Sequence, residues 1–248
     1  MTLSPPADQY FLSGTFNFRD IGGLRTTDGG RTRPGVLLRS AQLSGLDDHG
    51  RTALLGLGVT AVHDLRGPAE IDTIGHDALP EQIRLLVTPF DTRLDDTPPH
   101  EARTRSEREH MLGVYRAFPE RPEAHRAIVA LATAIADGDG AVLVHCAAGK
   151  DRTGWAVATL LRAVGVTEED VLADYMASAA GAEALRRLLT TSWPGRIVSD
   201  DLLGVFPEYL RASDEAVLDH HGSFENYLLA AGLGAGLRDR LRARLLAA

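Results

Sequence analysis

The sequence predicts an α/β fold: a central sheet flanked by helices, with a helical cap at the C-terminal end. Three observations predict it. Short apolar, β-branched runs alternate with amphipathic segments through the first two-thirds of the chain. The last third lacks such runs and reads as successive helices. No clear linker separates the two parts, so residues 1–248 read as a single domain whose final roughly 60 residues form the cap.

Taken in order, residues 15–24 end in a glycine pair and read as a strand or loop entering a turn. Residues 36–39 are a short strand. Asp47 and Asp48 open a helix over 48–57, which Gly58 closes. Residues 59–65 have the apolar, β-branched character of a buried strand, and Arg66-Gly67-Pro68 ends it. Residues 83–90 form another strand and lead into a loop with Asp91, Asp95 and Asp96. Residues 101–118 read as an exposed helix stopping before Pro119, and 122–136 as a helix with Ile128, Leu131 and Ile135 on one face. Residues 141–145 are a short apolar strand. A small-residue loop follows, then a strongly apolar, buried helix over 153–164. Residues 168–189 and the cap are helical, with breaks at Trp193-Pro194-Gly195 and His221-Gly222.

Composition excludes several classes. A hydrophobic fraction of 44% supports a sizeable core, and charges of both signs are mixed along the chain. The formal net charge of -8 disfavours non-specific nucleic-acid binding. The first residues lack a basic segment followed by an apolar one, and the longest apolar run is broken by Arg162. The expectation is a cytoplasmic protein without stable membrane insertion, with secretion by another route left open. One cysteine allows no intramolecular disulfide.

That cysteine sits in the informative stretch, His145-Cys146-Ala147-Ala148-Gly149-Lys150-Asp151-Arg152-Thr153-Gly154. A nucleophile ends a strand, and an arginine begins a helix five residues later. Successive backbone N–H groups in such a loop form an anion nest, and the helix N-terminus adds unpaired donors. Ala147, Ala148 and Gly149 are small enough for the backbone to wrap a phosphate closely. Arg152 can hold phosphate oxygens with two parallel hydrogen bonds, as lysine cannot. The same field favours a thiolate at Cys146, able to form a covalent phosphocysteine. Arg152 and the amides supply the positive charge, so the reading calls for no metal and no cofactor. A lone intracellular cysteine is usually a small buried apolar residue; the Cys-x5-Arg spacing between strand and helix reverses that expectation.

His145-Cys146-x5-Arg152-Thr153-Gly154 resembles the signature of the protein tyrosine phosphatase superfamily. With Asn17-Phe18-Arg19-Asp20 upstream, the fuller string resembles the bacterial tyrosine phosphatase family of the mycobacterial PtpB type. Leu37-Leu38-Arg39-Ser40, Asp64-Leu65-Arg66, Ala173-Asp174-Tyr175 and Glu208-Tyr209-Leu210 extend the resemblance along nearly the whole chain. The resemblance implies a phosphatase-like central sheet, Cys146 as nucleophile and Arg152 as phosphate clamp. It implies that Thr153 hydrogen-bonds the thiolate and that His145 orders the loop rather than acting as a base. Lys150 and Asp151 match the pair that marks this branch, and Lys150 beside the pocket suits a multiply phosphorylated ligand. The family places its general acid two residues after a Pro-Phe pair, whereas here Asp91 follows Pro89-Phe90 directly. Asp91 is preferred as general acid, with Asp151 as the competitor. Tyr115 and Arg116 point toward the site by the same analogy, and Arg39 and Asp20 are expected to pair beneath the loop.

The substrate is expected to be a phosphorylated protein, with phosphotyrosine preferred and dual-specificity or phosphoinositide activity open. A small phosphomonoester such as a nucleotide or inositol phosphate is the second reading, and a non-catalytic phosphate-binding module the third. The sequence leaves the oligomeric state open. The remaining histidines form no metal-ligand pattern: His220 and His221 are adjacent and cannot share a helical face. Trp155 reads as core, and the 103–108 arginine cluster as a solvated helix face.

Overall fold

A computed structural model describes residues 12–91, 106–192, 194–195 and 199–247. Five strands form one sheet: β1 (Arg19–Asp20), β2 (Leu37–Ser40), β3 (Val59–Asp64), β4 (Arg84–Val87) and β5 (Ala141–His145). The spatial order is β1-β2-β5-β3-β4. β1 runs antiparallel to β2, and the remaining pairs are parallel. β5 lies at the centre, pairing His145 with Ser40 on one side and with Asp64 on the other. A central parallel strand is covered on both faces, which is why all five residues of β5 are buried.

Strand alternation splits β5 between two cores. Val142 and Val144 join the larger core, while Ala141 and Leu143 join a smaller one with Leu38, Leu54 and Val62. Helix α1 (Asp48–Gly56) covers the smaller core through Leu54. Its cap is Asp47, whose side chain accepts from the Gly50 N–H. The larger core takes α3 (Glu107–Ala117), α4 (Pro122–Asp137) and α5 (Asp151–Ala163). Ser106 and Glu109 form a reciprocal capping box that starts α3.

Several elements differ from the sequence expectation. A seven-residue helix, α2 (Pro68–Ile74), stands where the sequence shows only a strand ending. Proline at its first turn and Glu70 reaching back to the Gly67 N–H start it. α3 is not an exposed helix: Met111, Val114 and Tyr115 are buried. The expected stretch 101–105 lies outside the described residues. The helix expected over 168–189 is broken into α6 (Glu168–Ala177), a 3-10 turn at Ser178–Gly181, and α7 (Ala182–Ser192). The helix after the loop begins at Asp151, two residues before its expected start, so Asp151 and Arg152 belong to its first turn.

The last helices are α8 (Asp200–Leu203), α9 (Pro207–His221), α10 (Phe224–Ala230) and α11 (Ala235–Leu245). α9 packs on α3, and α11 on α4. Tyr209, Val217, Tyr227, Leu241 and Leu245 carry this packing into the larger core. No described helix is long and apolar enough to cross a membrane.

Candidate active site

The loop from Cys146 to Lys150 leaves the C-terminal end of the central strand, where parallel α/β sheets place their ligands. Its carbonyls are held from outside. Cys146 O lies 3.2 Å from the His145 Nδ1, and Ala147 O accepts the Gln42 N–H at 3.2 Å. Ala148 O and Gly149 O accept from the Asn17 side-chain amide at 3.0 and 2.9 Å. Gly149 O also accepts from Arg39 at 2.7 Å. A peptide N–H points opposite to the carbonyl of its own unit. Pinning these four carbonyls outward therefore turns the N–H groups of Ala147, Ala148, Gly149 and Lys150 the other way, as an anion nest requires. Gly149 has φ +64°, and a Cβ there would lie 2.0 Å from the Ser40 carbonyl oxygen, so glycine is the residue that closes the turn.

Cys146, Ala147, Ala148, Lys150, Asp151 and Arg152 line one cavity of about 710 Å³, together with Asp91 and Glu70. Seven of the sequence-predicted residues thus share it. His145, Gly149 and Thr153 stand behind the wall; Thr153 Oγ1 is buried with no hydrogen-bond partner, so the expected bond to Cys146 is not made here.

Arg152 explains how the clamp is aimed. A guanidinium offers an end-on fork (Nη1 and Nη2) and a side-on fork (Nε and Nη2). Glu70 fills the end-on fork with two bonds of 2.6 Å, and Nη1 also reaches Leu65 O at 3.2 Å. On the side-on edge, Nε is buried and has no partner. Burial works against the Arg152 cation, but the charges of Cys146 and Glu70 more than offset it and hold it above its usual value. Burial likewise opposes ionisation of Glu70, yet the Arg152 bonds prevail and its carboxyl lies below its usual value, with Asp91 pushing the other way. Glu70 is the functional residue that sequence reading missed. The available signal was the Pro68 and Glu70 helix-start pattern after Gly67.

A second arginine pair supports the loop from below. Arg39 is fully buried and joins Gly149 O to Asp174, while Arg19 binds the other Asp174 oxygen at 2.6 Å. Arg19 also holds Asn17 Oδ1 at 2.6 Å, fixing the amide that grips the loop. Burial, then repulsion from Arg19, push Arg39 down to about 10. Burial resists ionisation of Asp174, but the two arginines win and its carboxyl lies below the usual range. The expected Arg39–Asp20 pair is not formed; Asp20 instead accepts from the Gly22 and Gly35 N–H groups.

His145 is buried and bridges Cys146 O and Asp77, 2.8 Å from its Nε2. Arg66 binds both Asp64 and Asp77 at 2.8 Å. Asp64, Asp77 and His145 lie close enough together for a metal, but both carboxylates are already bound by this guanidinium. The set reads as support for the loop.

Lys150 is placed differently from expectation. Its buried ammonium donates to Leu202 O at 2.5 Å and Gly204 O at 2.9 Å, tying the loop to the end of α8. It is therefore already engaged rather than held out for a second phosphate. Asp151 accepts from the Tyr115 hydroxyl at 2.9 Å. Arg116 faces away, exposed, 3.8 Å from Glu215. α7 overhangs the loop: Leu185 packs with Ala148 and Leu203, and Leu188 and Leu189 line the cavity. Trp155 lies in the core, donating to Ser213 at 2.8 Å. Within the 103–108 cluster, Arg108 pairs with Glu208 and stacks on Phe206, and 103–105 lie outside the described residues.

Residues 10–247 match the model of the tyrosine phosphatase family. The chain is 35% identical to the triple specificity protein phosphatase PtpB of Mycobacterium tuberculosis, over 95% of this chain and 98% of that one. It is 34% identical to a Cupriavidus necator protein named as a tyrosine-protein phosphatase, over 86% of this chain and 80% of that one. Among solved structures, P. aeruginosa TpbA overlaps 79% of this chain and 86% of its own at 19% identity, with a TM-score of 0.37.

Proposed function

The chain belongs to the tyrosine phosphatase family and is a phosphoric monoester hydrolase of the protein tyrosine phosphatase type, and we propose that it works through Cys146. The carrying observation is the set of outward-pinned carbonyls around a cysteine that opens into the cavity. The phosphoryl group sits on the inward amides and the side-on edge of Arg152. The Cys146 sulfur attacks phosphorus, the ester oxygen leaves, and Asp91 gives it a proton. Water then attacks the phosphocysteine, releasing phosphate and restoring the thiolate.

The substrate is a phosphotyrosyl side chain. Phe90, Met111, Leu185, Leu188 and Leu189 give the cavity an apolar wall suited to an aryl ester. Lys150 is bound to carbonyls, which weighs against a ligand chosen for a second phosphate. Cys146→Ser is expected to abolish turnover of phosphotyrosyl peptide while retaining inorganic phosphate binding by calorimetry. Turnover surviving in that variant overturns the mechanism. Higher kcat/KM on a nucleotide or inositol phosphate than on phosphotyrosyl peptide overturns the substrate assignment.

A further inference from the structure

Asp151 is held from outside the loop by two tyrosines on different helices. Tyr115, on α3, donates its hydroxyl to Asp151 Oδ1 at 2.9 Å. The Tyr175 hydroxyl, on α6, lies 2.8 Å from the Tyr115 oxygen. The Tyr115 proton is committed to the carboxylate, so Tyr175 is the donor in the second bond. The result is a directed chain, Tyr175 to Tyr115 to Asp151. Both rings are fully buried, and Tyr209 packs against Tyr115 with centroids 5.4 Å apart. Burial, then the Asp151 charge, keeps both phenols well above their usual value, so they persist as donors.

This arrangement divides the two carboxylate oxygens. Oδ1 is occupied by Tyr115. Oδ2 lies 3.6 Å from the Lys150 ammonium and is the oxygen left for the cavity. Asp151 interacts with Lys150 and Arg152 from its own segment, Tyr115 from α3, Tyr175 from α6 and Tyr209 from α9, and shares the cavity with Cys146, Glu70, Asp91 and Glu107. One carboxylate oxygen is thus fixed by Tyr115 while the residue still lines the cavity, which is the arrangement a positioned base needs.

We propose that Tyr115, backed by Tyr175, is a positioning residue that presents Asp151 as the base for hydrolysis of the phosphocysteine. The proposal rests on the Cys146 mechanism above. Asp151 Oδ2 takes a proton from water as the water oxygen bonds to phosphorus. The P–S bond breaks, its electron pair returns to sulfur as the Cys146 thiolate, and inorganic phosphate departs. Asp151 then gives its proton to solvent. Tyr115 accepts no proton; it keeps the carboxylate from rotating while the charge on Oδ2 changes.

The test is rapid mixing with 4-nitrophenyl phosphate, whose leaving group departs without help from an acid. Tyr115→Phe keeps the ring and its packing and removes only the donor. The expected result is an unchanged burst of 4-nitrophenolate followed by turnover slowed roughly tenfold, the scale of one charge-assisted hydrogen bond. Acid quench should trap more phosphate on the Cys146 peptide than in the unaltered enzyme, read by mass spectrometry. Tyr175→Phe should show the same split with a smaller loss. If burst and turnover slow together in Tyr115→Phe, or neither changes, the positioning role is overturned. Phosphocysteine trapped at equal levels in all three proteins sinks this proposal and leaves the Cys146 mechanism standing. No phosphocysteine in any of them sinks both.

Discussion

Asp91 and Asp151 both share the cavity with Cys146, and their surroundings point them to different jobs. Asp151 faces donors and cations. Asp91 lies close enough to Glu70 for the two to repel, and Arg152 keeps Glu70 ionised. Asp91 lines the cavity beside Glu70, the partner of Arg152, and is the carboxyl expected to protonate the leaving oxygen. Asp91→Asn should slow phenyl phosphate by about 10²–10⁴ while 4-nitrophenyl phosphate loses much less. The alkaline limb of the kcat/KM profile for phenyl phosphate should flatten. If Asp151→Asn shows that graded loss instead, the assignment is wrong. Cys146 and Arg152 were legible in the sequence because their chemistry is local: one loop, one spacing. Glu70 was not, since its pairing spans 82 positions and only folding brings it to Arg152. Arg39 was visible as a motif residue, but its partner Asp174 is 135 positions away and Asp20 was the nearer guess.

Strands were read from the sequence more faithfully than helix breaks. β5 matched its expected bounds because a buried parallel strand is a bare apolar run. α2 escaped because it is short and none of its residues is buried, so it carries no apolar period. The break between α6 and α7 is tertiary: Ser178 is drawn to Arg19 at 3.0 Å, and a Cβ at Gly181 would lie 3.2 Å from Phe16. β3 carries its own conflict. His63 is fully buried, and neither ring nitrogen has a hydrogen-bond partner. Burial, then repulsion from Arg84 and His145, lowers it to about 4 from an ordinary 6.5. In the unfolded chain His63 takes up its proton at the ordinary value, while in the fold it stays neutral until about pH 4. The unfolded state thus binds the extra proton in that window, and stability falls as pH drops through it. The full effect is on the order of 3 kcal/mol. His63→Leu should flatten the fall in urea-unfolding free energy between pH 6.5 and 4. A slope identical to that of the unaltered protein would remove His63 from the account.

Across the whole molecule, one thiol serves every redox event. Cys146 is the only cysteine in the sequence, is 2% exposed, and lines the cavity proposed to take the phosphate. A thiolate in an anion nest is the form that peroxide oxidises. No second thiol in the chain can trap the sulfenic acid as a disulfide. The sulfenic acid itself is reducible by thiol, and within the chain it can still condense with a neighbouring backbone nitrogen to a cyclic sulfenamide. Oxidant and substrate must also compete, since both reach the sulfur through one opening. Brief peroxide treatment should therefore abolish activity and shift the Cys146 peptide mass, and dithiothreitol should restore both. Saturating inorganic phosphate during the treatment should slow the loss, because the bound anion fills the nest in front of the sulfur. Full activity with an unmodified Cys146 after peroxide would contradict the thiolate. Inactivation at the same rate with and without phosphate would contradict the shared entrance, and with it the assignment of this cavity to the phosphoryl group.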